Sequence, residues 1–150
     1  MIQIKTLFQT DNDYSTFILR LLLAVVFFPH GAQKVFGWFG GYGFDGTMTM
    51  FTQKMGIPAF LAFLAIMAES AGAAALFLGF LTRIAAFGIL TNMAVAVLMV
   101  HLKNGFFMNW AGNNAGEGFE FHLLAIAIAV ALIFRGGGRW SIDGLLARKL

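Results

Sequence analysis

Residues 58–102 read PAFLAFLAIMAESAGAAALFLGFLTRIAAFGILTNMAVAVLMVHL. Glu69, Arg83 and His101 are the only ionisable side chains in this stretch. A helix needs about 20 apolar residues to cross the hydrocarbon core of a bilayer. Pro58–Leu81 supplies one such run and Ile84–Leu102 a second, with only Thr82–Arg83 between them. Two helices joined by so short a link must lie antiparallel and side by side. A barrel strand would alternate apolar and polar residues over ~10 positions. This stretch does not alternate, and its Ala and Leu favour helix. It reads as a membrane hairpin.

Working outward, Phe17–Phe36 is a third apolar run, opening near Arg20 and containing Pro29, His30 and Lys34. Phe119–Phe134 is a fourth, shorter and with a polar first turn at Glu120 and His122. A first turn that faces other helices can be polar without touching lipid; a half-inserted segment is the alternative. Composition agrees with a membrane protein: the 150 residues are 59% hydrophobic and only 11% charged, against about 25% charged in soluble domains. The absence of Cys excludes disulfides, thiolate metal sites, iron–sulfur clusters and thiol redox relays. No Gly-rich nucleotide loop occurs in strand–helix context, and no basic stripe with interleaved aromatics suggests nucleic acid.

The expected fold is all-α, a single domain over 1–150. It forms an antiparallel bundle of four transmembrane helices at about 17–36, 58–81, 84–102 and 119–134, with outer loops at 37–57 and 103–118. Four spans put both termini on one side. Lys5, Arg20, Arg83, Arg135, Arg139, Arg148 and Lys149 fall on that side, and Lys34, Lys54 and Lys103 on the other. Seven against three predicts cytoplasmic termini in a bacterial-type inner membrane. Arg20 and Arg83, near the cytoplasmic ends, are expected to snorkel towards that surface. Met1–Thr10, with Ile2, Ile4, Leu7 and Phe8, and Ser141–Leu150, capped by Ser141, are expected along the cytoplasmic membrane surface. Trp38, Trp110 and Trp140 are expected as interfacial belt residues. Ala68, Gly72, Ala75, Ala85, Ala125 and Ala129 provide the small-residue contacts that helices need in lipid.

An ionisable group inside the bilayer costs about 2.5–3.5 kcal/mol on insertion scales and is usually functional. By ~1.5 Å rise per residue, Glu69 and Asn92 fall near mid-depth. His30, Lys34, His101, Glu120 and His122 fall in the outer half. His30 and Lys34 share a face, four residues apart. Glu120 and His122 are two apart and cannot both face the centre; Glu120 is expected inward and His122 at the interface or a neighbouring subunit. A quinone site fits this set, with donors for the carbonyl oxygens from His and Glu and apolar walls from Phe-rich helices. Bis-His haem ligation by His30 and His101 is a second option. A metal ion, if present, would fall to His30, His101, Glu69 and Glu120, although no tight ligand spacing such as H-x-x-x-H occurs.

The sequence resembles a known family. The carriers are Leu19–Leu21, Phe28-Pro29-His30-Gly31, Gln33-Lys34 and the run from Phe36 to Gly43. To these add Gly56-Ile57-Pro58, Ala68-Glu69, Gly79–Arg83, Val100-His101-Leu102, Asn104–Phe107, Glu117–Phe121 and Gly138–Asp143. Together they resemble the DoxX family of small membrane proteins, from about Thr16 to Asp143. The resemblance implies a four-helix membrane oxidoreductase subunit, linked in some members to thiosulfate:quinone oxidoreduction and to membrane complexes that resist oxidative stress. It carries over Arg20, His30, Lys34, Glu69, Arg83, His101 and Glu120; His122 stands where the family has Asn. Related quinone-linked thiol oxidases depend on Cys pairs, so their chemistry does not transfer.

The function expected is an oxidoreductase-type subunit with a quinone or similar redox ligand in the outer half of the bundle. His30, Glu69, His101 and Glu120 form the expected catalytic set, with His30 and Glu69 handling protons. His30, Lys34, Glu69, Asn92 and His101 form the expected binding set, with Lys34 opposing anionic charge. Two alternatives stay open: a non-catalytic anchor for a soluble redox partner, or a small-molecule or proton pathway. Partners expected are the lipid bilayer, a quinone, a redox protein and a second copy of the chain, with no nucleic acid.

Overall fold

The computed structural model describes residues 4–149; Ile2 and Leu150, named above in the terminal segments, lie outside them. The described residues contain helices and no strand. The helices are α1 Ile4–Phe8, α2 Tyr14–Phe36, α3 Gly43–Thr49, α4 Ala59–Glu69, α5 Ala71–Leu78, α6 Thr82–Ala96, α7 Glu120–Arg135 and α8 Ile142–Ala147. α6 continues through a wider π turn, Val97–His101, and a 3-10 turn, Leu102–Asn104. Three segments are long and apolar enough to cross a membrane: Tyr14–Phe36, Ala59–Leu78 and Thr82–Asn104. α7 has 16 residues, short of the ~20 that a full crossing requires. Membrane-spanning helices set this chain in a lipid bilayer.

Three expectations are refined. The run 58–81 forms one candidate span, Ala59–Leu78, with a break at Ser70 (φ −93°, ψ −72°) between α4 and α5. The Ser70 hydroxyl donates to the Ile66 carbonyl at 2.7 Å, which also keeps the Ser70 N–H at 3.0 Å, a back-bond of the kind that bends helices. The connection 37–57 is largely helical, through α3 and a π turn at Met50–Lys54. α2 starts earlier than Phe17, because Asp13 caps it: Asp13 Oδ1 accepts from the Ser15 N–H at 3.1 Å, satisfying a backbone donor that a helix N-terminus leaves free.

The packed centre joins Leu23, Ala24 and Phe27 of α2, Ala73 and Leu76 of α5, Ala85, Ala86, Ile89 and Met93 of α6, and Ala125, Ala129 and Leu132 of α7. Alanine is frequent because lipid gives apolar helices no reason to associate except close contact. Large apolar side chains such as Phe60, Phe77, Phe87, Leu124 and Phe134 point outward, as a lipid-facing surface requires. Gly31 is the tightest crossing: a Cβ there would lie 2.5 Å from the Glu69 carbonyl oxygen and 2.7 Å from Ser70 Cα. α2 therefore touches the α4–α5 junction backbone to backbone.

The described segments next to the two termini gather at one end of the bundle, with the Gly79–Leu81 turn. There the Asp11 N–H donates to Arg135 O at 3.2 Å, Arg139 N–H to Asp13 O at 3.1 Å and Asp143 N–H to Gly79 O at 2.9 Å. This is the terminal end; the connections 37–57 and 103–118 form the loop end. Arg20 and Arg83 do not snorkel freely as expected. Arg20 is fully buried; its guanidinium donates to the carbonyls of Leu76 (2.6 Å), Phe77 (2.8 Å), Gly137 (2.8 Å), Trp140 (3.2 Å) and Arg139 (3.5 Å). Arg83 donates to the carbonyls of Ile133 and Gln9. Backbone oxygens left free by helix ends and turns are better acceptors here than distant water.

Candidate functional site

The site is built where α2 crosses the break between α4 and α5. Gly31 admits the close approach, and Lys34, about one turn further along α2, faces Glu69, the last residue of α4. Lys34 Nζ donates to Glu69 Oε2 at 2.5 Å. Asn92, from α6, donates its amide to Glu69 Oε1 at 2.6 Å. Three helices thus supply one cation, one carboxylate and one amide. Glu69 is 5% exposed, so in an apolar bundle these partners compensate the carboxylate for lost hydration. Ser70, the other neighbour able to bond Glu69, spends its hydroxyl on Ile66.

His30 lies one turn before Lys34, with its ring centroid 6.1 Å from that of Phe27. α2 is helical throughout Tyr14–Phe36, including Pro29. Beside Lys34, α2 and the helical connection border an open cavity of about 200 Å³, with Gln33, Lys34, Tyr42, Thr47 and Met50 among its walls.

A second group stands apart from the first. The rings of His101, at the end of the π turn, and His122, in the first turn of α7, lie 4.1 Å apart between centroids, tilted by 40°. His101 Nδ1 is 2.9 Å from the Glu117 carbonyl, which makes that nitrogen the donor. His122 is 6% exposed, and its buried Nδ1 has no partner among the described residues.

Glu120 and His122 exchange their expected orientations. Glu120 Oε1 accepts the Met108 N–H at 2.8 Å and the Trp110 indole N–H at 3.4 Å. The cause is the backbone at the start of α7. Its free N–H groups bond to carbonyls of the 103–118 connection, including Glu120 N–H to Phe106 O at 2.9 Å. The connection therefore folds over that end of α7, and its own N–H groups draw the Glu120 carboxylate outward. His122, on the opposite side, turns into the bundle.

The expected catalytic set thus separates. His30 and Glu69 stay together with Lys34 and Asn92; His101 joins His122; Glu120 belongs to the connection. The four residues named for a metal ion do not gather, and among the described residues no group of three His, Cys, Asp or Glu could hold one. Glu69 already spends both oxygens on Lys34 and Asn92.

Two features escaped the sequence. Asp143 is 1% exposed, and accepts the Leu81 and Thr82 N–H groups at 2.7 and 2.8 Å. Its sequence signals were its place at the end of the Gly138–Asp143 run and just past the Ser141 cap, neither of which shows a burial site. The second is the cavity wall at Tyr42 and Thr47, hidden in a stretch expected to be a plain loop.

Comparison with known proteins adds the following. The family profile described as DoxX matches residues 15–102. A Bacillus subtilis (strain 168) protein named "Putative oxidoreductase CatD" is 29% identical over 120 residues, covering 80% of this chain and 79% of the relative. The Escherichia coli (strain K12) inner membrane protein YqjF is 29% identical over 138 residues, covering 92% and 96%. A membrane protein of Mycobacterium tuberculosis is also 29% identical, covering 95% and 88%. No solved structure matches the chain.

Proposed function

The chain belongs to the DoxX family, and from that premise we propose that it is an inner-membrane oxidoreductase subunit of four crossings, working with a quinone at its loop end. The carrying observation is Glu69, a buried carboxylate held by Lys34 and Asn92 within apolar helices. Ionisable groups so placed mark ligand or proton sites. The relative named as an oxidoreductase and the relative named as an inner membrane protein support the class and the location. For the fourth crossing, α7 is about 24 Å long at 1.5 Å per residue, and Glu120 and Arg135 stand at its two ends. The seven-to-three distribution of basic residues favours cytoplasmic termini.

A quinone supplies the redox step, taking up two electrons and two protons to become the quinol. The residues present suit it: donors on one side, aromatic and apolar walls on the other. Lys34 opposes negative charge on a ligand oxygen. Glu69 and His30 hold and pass protons at Oε2 and the imidazole ring. Asn92 fixes the Glu69 carboxylate, while His101 stays with His122 in the separate pair. Glu120 is assigned to holding the 103–118 connection over α7. Electrons come from a separate redox protein, because a chain without Cys has no thiol couple of its own.

The test is to purify the protein from its membrane, extract it with organic solvent and measure quinone per chain. Retained quinone that drops several-fold in His30→Ala and Glu69→Gln is the expected result. No quinone in the wild type, and none taken up when it is supplied, overturns the proposal.

A further inference from the structure

Lys34 has three N–H donors, and among the described residues one is spent, on Glu69. The side chain keeps 21% of its surface exposed and forms part of the wall of the cavity of about 200 Å³ between α2 and the helical connection. Other polar groups border the same space. Thr47 is 2% exposed and brings a hydroxyl from α3. Gln33 spends its amide N–H on the Phe39 carbonyl at 3.3 Å, which leaves its side-chain oxygen as an acceptor. Met50 and Tyr42 are the apolar and aromatic walls. The backbone turn that brings α3 over Lys34 starts at Gly37, which has φ +72°.

Resting on the quinone reading above, we propose that this cavity seats the ligand's head group. Lys34 Nζ and the Thr47 hydroxyl serve its oxygens, and Met50 and Tyr42 flank its ring. The size agrees with this division: whole-ligand pockets run to about 300–1,000 Å³, and a space of about 200 Å³ falls short of that, so the long tail is left to the lipid. A ring here is one salt bridge away from the buried carboxylate, with Lys34 Nζ standing between Glu69 Oε2 and the ligand oxygen. The histidine pair is a poorer seat, since His122 Nδ1 is sealed from contact and His101 Nδ1 is taken by Glu117.

The experiment titrates the full chain in lipid nanodiscs with decylubiquinone and reads quenching of tryptophan fluorescence. Three variants accompany the wild type. Thr47→Val removes the hydroxyl and keeps the shape; Met50→Trp fills the cavity; Thr91→Val removes a hydroxyl that bonds within α6. Saturable binding is expected in the wild type and in Thr91→Val, about five-fold weaker in Thr47→Val, as for one lost hydrogen bond, and absent in Met50→Trp. Saturable wild-type binding that is unchanged in Thr47→Val overturns the cavity assignment and leaves the quinone reading standing. This holds whether or not Met50→Trp folds. Failure of the wild type to bind overturns both.

Discussion

Arg20 and Asp143 close the two sides of a single helical turn. Arg20 takes the last carbonyls of α5, at Leu76 and Phe77, and Asp143 takes the first N–H groups before and within α6, at Leu81 and Thr82. A turn between membrane helices leaves free carbonyls on one side and free N–H groups on the other. In water both would be hydrated; here one buried cation and one buried anion, far apart in sequence, serve instead. Gly79 makes room for them. It has φ +65°, and a Cβ would lie 2.5 Å from Ser141 Cβ and 2.9 Å from Arg20 Cζ. The segment after α7 thereby locks the α5–α6 hairpin in place.

Asp143→Ala is therefore expected to destabilise the protein by about 1–2 kcal/mol, the usual scale for a lost helix cap. Asp143→Asn, which keeps one acceptor oxygen, should cost less. Arg20→Lys should cost more, about 3 kcal/mol, because a single ammonium cannot reach all the carbonyls spread around the edge of the planar guanidinium. Unfolding titrations in mixed detergent measure all three. An Arg20→Lys protein as stable as the wild type would show that the carbonyls find other donors.

The Lys34–Glu69 pair should behave as one unit. Glu69→Gln leaves the ammonium without its counter-charge, and breaking a buried pair costs about 3–5 kcal/mol. Lys34→Met strands the carboxylate in the same way. The double variant removes both charges, so its loss should be smaller than the sum of the single losses. Melting temperatures of the four proteins in one detergent give the coupling; strictly additive losses would mean that the pair contributes nothing as a pair.

Asp13 links stability to pH at the terminal end. Its carboxylate is held below the usual Asp range, chiefly by the Ser15 backbone N–H that it accepts as the cap of α2. A carboxyl with a lowered folded pKa binds fewer protons folded than unfolded in the window between its two values, so stability there rises with pH. The contribution is complete above the unfolded value of about 3.9 and is lost as pH falls through the folded one. Asp13→Asn should flatten the acid limb of a melting curve measured from neutral pH to below pH 3. An unchanged limb would remove Asp13 as a contributor.

The legible part of this chain is its run of apolar segments. Residues 17–36, 58–81, 84–102 and 119–134 each contain an observed helix, because length and hydropathy are additive along the chain. Glu69 and Lys34 were legible for a related reason: a charge at depth stands out against 59% apolar composition. What depended on backbone donors and acceptors was hidden. The break at Ser70 sits where its hydroxyl and its N–H share the Ile66 carbonyl. The outward turn of Glu120 comes from the needs of a connection whose path the sequence does not display. Asp143 serves N–H groups some sixty positions away, and no helical pattern encodes such a contact.

His122 offers the cleanest check of that lesson, because its burial reverses the sequence expectation. Its Nδ1 is buried without a partner among the described residues, while its ring stacks on His101. An unmet buried polar atom costs about 1–3 kcal/mol, and a benzene ring of similar reach keeps the stacking without the nitrogen. His122→Phe is thus expected to raise stability by about 1 kcal/mol, visible as an upward shift in melting temperature. Asn would forfeit the ring contact with His101 and leave a smaller side chain between Phe121 and His101; His122→Asn should therefore melt below His122→Phe. If His122→Phe instead destabilises by more than about 1 kcal/mol, the nitrogen is engaged in the native membrane, and the histidine pair, in place of the Lys34 cavity, becomes the group to probe for ligand contact.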